Sequence, residues 1–198
     1  MNERMVARSF YARDPLLVAP ELLNKVLLTP RGAGRIVEVE AYDGPNDPGS
    51  HAFRGPTPRT RVMFGPPGHL YVYFTYGMHW CANIVCRTEG EPGAVLIRAL
   101  APLRGLEAMR AARTAARRDR DLCNGPAKLC QALGIAGTDD GTDIAGPHSP
   151  MRVVDDGVRP PAEPMNGERI GLSRGIELPW RWYVAGDPNV SRTNVPRR

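Results

Sequence analysis

Residues 69–86 read HLYVYFTYGMHWCANIVC. Tyrosine, valine, phenylalanine and threonine alternate up to Tyr76, Gly77 supplies the residue suited to a turn, and an apolar β-rich run returns through Cys86. That pattern predicts an antiparallel hairpin. Two further stretches carry equally strong strand signals, RIVEVEAY (35–42) and AVLIRAL (94–100), and VLLTP leads into a strand before them. In the tail, MRVV, RIGLS and WRWYVAG read as shorter strands separated by loops rich in Pro, Gly and Asp.

The helical signals are fewer. DPLLVAPELLNKV reads as a short helix interrupted at Pro20. PLRGLEAMRAARTAARR reads as a helix with Leu103, Leu106 and Met109 at helical spacing. NGPAKLCQALG reads as a compact helix with Pro126 at its start and Gly134 at its end. Strands outnumber helices and do not alternate with them, which predicts a mixed α+β domain on an antiparallel or mixed sheet rather than a doubly wound fold.

Length and composition bound the rest. A chain of 198 residues buries roughly 70% of its unfolded surface, enough for one core, so 1–198 is read as a single domain. Hydrophobic residues make up 42% and charged residues 24%, the balance of a globular protein rather than a disordered one. No apolar run approaches the roughly 20 residues of a membrane span, and MNERMVARSFYARD lacks a signal segment, so no membrane and a cytoplasmic location are expected. The net charge of +5 and pI near 9.3 favour an anionic partner without naming it. Of 26 basic residues only Lys25 and Lys128 are lysine. Cys81, Cys86, Cys123 and Cys130 form no CxxC pair, and His51, His69, His79 and His148 are scattered. Buried free thiols and no metal site or cofactor follow.

Several polar or aromatic residues stand where strand packing alone does not call for them. In RIVEVEAY, Val37, Val39 and Ala41 form a core face, and Ile36, Glu38, Glu40 and Tyr42 the other. A buried carboxylate there needs a partner or a task. Arg98 within VLIRAL needs a counter-charge, with Glu38 or Glu40 as candidates. Asn83 in CANIV is either bonded to backbone or placed against a ligand edge. If their strands are neighbours, Tyr42 and Tyr73 would line one aromatic pocket, and such rings attract a flat base, a cationic one more strongly. Tyr76, at the hairpin tip, is either a partly packed surface residue or a wedge that fills the space left by an extruded nucleotide. The Pro- and Gly-rich stretch 43–68 carries Arg59 and Arg61 on PTPRTR, either a solvated loop or a backbone-contacting one. The start of the GPAKLCQALG helix, with Lys128, fits a phosphate or an ordinary cap.

Taken in order, RIVEVEAYDG, SHAFRGPTPRTRVMFGPPGHLYVYFTYGMHWCANIV, AVLIRALAPLRG, GPAKLCQALGI, RIGLS and WRWYVAGDPNVS resemble the alkyladenine (3-methyladenine) DNA glycosylase family along nearly the whole chain. The resemblance implies a single mixed α+β domain with a curved, mainly antiparallel sheet, a protruding β-hairpin and flanking helices. It also implies a monomeric, monofunctional hydrolase whose partner is double-stranded DNA containing damaged purines. Residue by residue, Glu40 falls where the family activates the hydrolytic water and Arg98 beside that water. Tyr42, His51 and Tyr73 fall where it encloses the flipped base, and Asn83 where it excludes the 2-amino group of guanine. Tyr76 falls at its DNA wedge, with Arg59, Arg61 and Lys128 as candidate backbone contacts. The segment GTDDGTDIAGPHSPMRVVDDGVRPPAEPMNGE matches the family weakly. A non-catalytic reader of damaged or distorted nucleic acid is the alternative.

Overall fold

A computed structural model describes residues 3–191. Among the described residues nine strands occur: β1 Arg4–Met5, β2 Val26–Thr29, β3 Gly32–Tyr42, β4 Leu70–Thr75, β5 His79–Cys86, β6 Gly93–Arg104, β7 Arg152–Asp155, β8 Met165–Gly167 and β9 Arg181–Tyr183. They form one curved antiparallel sheet in the order β1-β7-β2-β3-β6-β5-β4. β3 is its centre. One edge pairs with β6 along its length, while the other is shared, the first half pairing with β2 and the second with β9, which carries β8 outside it. Four helices flank the sheet: α1 Arg8–Tyr11, α2 Pro15–Leu22, α3 Leu106–Ala112 and α4 Pro126–Leu133. The mixed α+β expectation is met.

The two faces of the sheet do different work. Val39, Ala41, Val95, Ile97, Leu70, Val72, Ala82 and Ile84 pack against Val18, Ala19 and Leu22 of α2 and Leu129, Cys130 and Leu133 of α4. Each large aliphatic side chain so buried contributes roughly 1.5–3 kcal/mol. The four cysteines are free and buried, as expected. The opposite face is covered only in part, where Ala52 and Met63 of the long loop close over Tyr71, Val85 and Ala94. The remainder of that face is left for a site.

The hairpin β4–β5 turns through Tyr76 and Gly77, at φ +50° and +67°, and the Met78 amide donates to the Thr75 carbonyl at 3.2 Å. Positive φ at both central positions suits the twist of the flanking strands. For a tyrosine it costs about 1 kcal/mol or more, and with 79% of Tyr76 exposed little packing offsets it.

Local expectations need correction in five places. The alternation read along 35–42 is broken by register shifts around Glu38, so Ile36 joins Val39 and Ala41 in the core and every residue from Ile36 to Ala41 is buried. The helix expected over 102–118 is only α3. Residues 101–104 instead extend β6, pairing with 33–35, and Gly105, at φ +78°, turns the chain into the helix; Leu103 is left exposed. RIGLS is not a strand; β8 is the preceding Met165–Gly167. α2 runs through Pro20 rather than breaking there, and ends two residues later. Finally, the strands carrying Tyr42 and Tyr73 are not neighbours, since β6 and β5 stand between them.

Candidate active site

Strand register lays a row of side chains across the partly covered face. Glu40 of β3 stands opposite Leu96 of β6, Leu96 opposite Asn83 of β5, and Asn83 opposite Tyr71 of β4. Opposed residues share a face, so these four positions are brought to one surface by pairing alone. Above it lies a cavity of about 270 Å³, lined by Tyr42, Gly49, His51, Met63, Tyr71, Tyr73, Thr75, Tyr76, Cys81, Asn83, Leu96, Arg98, Pro126, Ile170, Gly171 and Leu172. That is near the lower end for small-molecule pockets, a size for one flat ring system.

Glu40 has no exposed surface and lies just behind this lining. Its Oε1 accepts from the Ile170 amide at 2.7 Å and forms an ion pair with Arg98 Nη1 at 3.1 Å, and its Oε2 accepts from the Tyr42 hydroxyl at 2.9 Å. Glu38, also fully buried, is occupied differently. It accepts from Arg98 Nε at 3.1 Å, Arg181 Nη1 at 3.0 Å, and the amide and hydroxyl of Ser191 at 2.6 and 2.8 Å. Arg98 therefore bridges both carboxylates, the two alternatives left open by the sequence. Burial works against its charge, yet Glu40 and then Glu38 outweigh that and strengthen its protonation. The Tyr42 phenol is pushed well up by burial, then by the Glu40 charge, so it stays a hydrogen-bond donor.

The aromatic wall comes from β4 and the long loop. Tyr71 and Tyr73 stack at 5.4 Å between centroids, and His51 meets Tyr73 edge-on at 4.6 Å while its Nδ1 lies 3.1 Å from the Tyr71 hydroxyl. Desolvation against these rings, then the nearby Arg59, lowers the His51 pKa and keeps the imidazole neutral at pH 7. Asn83 donates to the Tyr71 carbonyl at 3.3 Å and also lines the cavity.

At the mouth stands Tyr76 on its hairpin. Arg59 reaches the Phe74 carbonyl at 3.3 Å and sits 5.5 Å from the Tyr73 ring centroid. Arg61 is exposed on the turn Arg61–Phe64 and does not line the cavity. Lys128 donates to Asn124 at 2.8 Å, in the helix whose first residue, Pro126, lines the cavity. Lys25 is paired with Asp155 at 2.8 Å, away from the cavity; the N-terminal amine lies outside the described residues. Among the described residues no group of three His, Cys, Asp or Glu side chains could hold a metal ion, and no helix is long and apolar enough to cross a membrane.

The sequence assigns no role to Tyr71 or to Ile170, whose amide caps Glu40. Nor does it single out Asp47 and Arg169, a fully buried ion pair beside the cavity. The one signal for the latter was an arginine inside the apolar RIGL run.

Residues 9–188 match a family described as methylpurine-DNA glycosylase (MPG). The chain is 59% identical over 188 residues to a protein of Burkholderia lata, covering 94% of this chain and 91% of the relative. It is 50% identical to one of Streptomyces avermitilis, covering 98% and 94%, and 46% identical to one of Agrobacterium fabrum, covering 96% and 94%. All three are provisionally named 3-methyladenine DNA glycosylases.

Proposed function

The chain belongs to the methylpurine-DNA glycosylase family, and we propose that it excises 3-methyladenine and other damaged purines from duplex DNA by hydrolysing the N-glycosidic bond. The observation that carries this reading is the cavity itself: an aromatic slot with Glu40 directly behind its wall and Arg98 and Asn83 in that wall. A slot of that shape receives a base that has been turned out of the helix. Tyr76, exposed on the projecting hairpin, fills the space the base leaves.

In the cavity the purine stacks among Tyr42, His51 and Tyr73. Glu40 Oε1 is already held by the Ile170 amide and paired with Arg98, so its Oε2, beside the Tyr42 hydroxyl, takes the proton from water. The water oxygen bonds to the anomeric carbon as the bond from that carbon to the purine nitrogen breaks, with oxocarbenium character at the sugar. The electron pair leaves with the base, and the products are a free purine and an abasic site. Bases alkylated at N3 or N7 are cationic and leave without a further proton, so position and electrostatics are the main contribution. Deaminated and etheno-bridged purines are neutral and require protonation as they leave. Arg98 holds the carboxylate in place, and Asn83 tests the base edge against the 2-amino group of guanine. Arg59, Arg61 and Lys128 contact the DNA backbone. Because no lysine lines the described cavity, the chain acts as a simple hydrolase without a Schiff-base step.

Single-turnover release from duplexes carrying 7-methylguanine, 3-methyladenine, hypoxanthine or ethenoadenine, with alkali to reveal abasic sites, tests the proposal. Release is expected for at least the methylated purines. Tight lesion binding with no release would instead establish a damage reader.

A further inference from the structure

The sheet supplies only part of the cavity wall. Gly49 and His51 come from the loop after β3, and Ile170, Gly171 and Leu172 from the segment after β8. Neither belongs to a strand, so strand pairing does not fix where they stand. Asp47 and Arg169 join the two. Both side chains are wholly buried, and the guanidinium grips the carboxylate with two bonds, at 2.5 and 2.7 Å. Arg169 also donates to the Ala41 carbonyl at 3.0 Å and the Gly175 carbonyl at 3.2 Å, while Asp47 accepts from the Gly49 amide at 2.9 Å. The fit is tight: a Cβ on Gly49 would lie 2.9 Å from both Arg169 Nη2 and Leu172 Cδ1.

Two consequences reach the cavity. The residue after Arg169 is Ile170, whose amide caps Glu40. The guanidinium itself lies 4.7 Å from the Tyr42 ring centroid and 5.2 Å from that of Trp180. Tyr42 lines the cavity whereas Arg169 exposes no side-chain surface, so the cation backs the ring from the side away from the bound base. A cation there draws on the same π density that would attract a cationic base. As a source of net stability the pair is weak, because desolvation of two ions offsets their attraction. Its directional bonds are what orient the loops.

We propose that the Asp47–Arg169 pair is a positioning and specificity latch: it fixes the loop walls and Tyr42 for base binding, and it mutes the preference of Tyr42 for cationic over neutral purines. Neither residue touches the base; both act through Tyr42, Gly49 and Ile170. The inference rests on the reading of the cavity as a damaged-base site.

The test is single-turnover release against enzyme concentration, on duplexes carrying cationic 7-methylguanine or neutral hypoxanthine, for the unmodified chain, Asp47→Asn, Arg169→Gln and Arg169→Lys, each checked by thermal melting. For Asp47→Asn and Arg169→Gln the half-saturating concentration is expected to rise about tenfold, equivalent to about 1.4 kcal/mol of binding. Maximal rates should stay within about threefold of the unmodified chain, since no group at the reacting bond has been removed. Arg169→Gln should shift the affinity ratio toward 7-methylguanine by about threefold, the size of a modest cation–π change; Arg169→Lys, which keeps the charge, should not. Lower maximal rates with unchanged half-saturation and lesion ratio would overturn the latch. Should these variants fail to fold, Gly49→Ala keeps both charges and forces the loops apart; a raised half-saturation supports the proposal and an unchanged one overturns it. If the unmodified chain binds and releases neither base, the assignment of the cavity fails and the latch with it.

Discussion

Replacing Glu40 by glutamine keeps the shape of the side chain and removes only its capacity to take a proton. A glutamine carbonyl retains the bond from the Ile170 amide and still faces Arg98 Nη1, and its NH2 reverses the bond to Tyr42, donating to the oxygen that now donates to Glu40. The Tyr42 hydroxyl hydrogen, released from Glu40, turns to the cavity that Tyr42 lines. Two charge-assisted bonds become ordinary ones, a loss of about 1 kcal/mol each, and the ion pair with Arg98 is given up, Arg98 keeping Glu38 as its counter-charge. Against that stands the desolvation of a fully buried carboxylate, several kcal/mol, which disappears with the charge. The two nearly cancel, so the melting temperature should move by no more than about 4 °C, the shift that roughly 1 kcal/mol produces in a chain of this size. Base release should behave quite differently. Loss of a general base costs about a hundred- to ten-thousand-fold, or roughly 2.7–5.4 kcal/mol of barrier. Single-turnover release, lesion binding and melting are measured on the same preparation. Release within about tenfold of the unmodified chain would refute the reasoning, and Glu38 could not be invoked instead, because four donors already occupy it. Activity lost only in step with melting would refute it too, by making Glu40 structural.

Other expectations follow from the same geometry. Asn83→Ser should admit undamaged guanine, seen as new excision from a G-containing mismatch; unchanged excision would remove Asn83 from that role. Tyr76→Asn should leave the melting temperature level or slightly higher, since asparagine tolerates the left-handed turn and Tyr76 is 79% exposed. The same variant should slow release from a well-paired duplex about tenfold or more, and an undiminished rate would show that no wedge is needed. For His51 the folded-state pKa lies below the ordinary 6.5, so the unfolded chain protonates first as pH falls. Its contribution to stability is complete above pH 6.5 and is lost as pH drops through the folded value. His51→Gln should therefore flatten the decline in melting temperature as pH falls below 6.5; parallel curves for the two proteins would contradict this.

How much of this could be read from the sequence depended on the range of the interaction. β3, β4, β5 and β6 announced themselves because their apolar patterns are local, and Glu40, Arg98 and Asn83 stood out as polar groups inside those patterns. The register shift at Glu38 did not, because a bulge changes which face a residue serves without changing its type. Leu103, Leu106 and Met109 satisfied a helical period, but pairing of 101–104 with 33–35 and the left-handed Gly105 decided otherwise. The strained backbone of Tyr76 leaves no mark in the text at all, since only its glycine neighbour signals a turn. Asp47 and Arg169 lie 122 residues apart, one in a Pro- and Gly-rich loop and the other at the head of a short apolar run. Only the folded chain shows that each is the other's partner.

The Ile170 amide bonded to Glu40 also offers a clock. Its hydrogen is held in a bond to a buried carboxylate, so exchange with deuterated water requires that bond to break as the segment 169–172 lifts away. Amides within β3 and β6 are released only when the sheet itself opens. The ratio of the two exchange rates gives the free energy of uncovering Glu40 in the empty enzyme, and damaged DNA that closes over the cavity should slow the Ile170 exchange while leaving that of the strands unchanged.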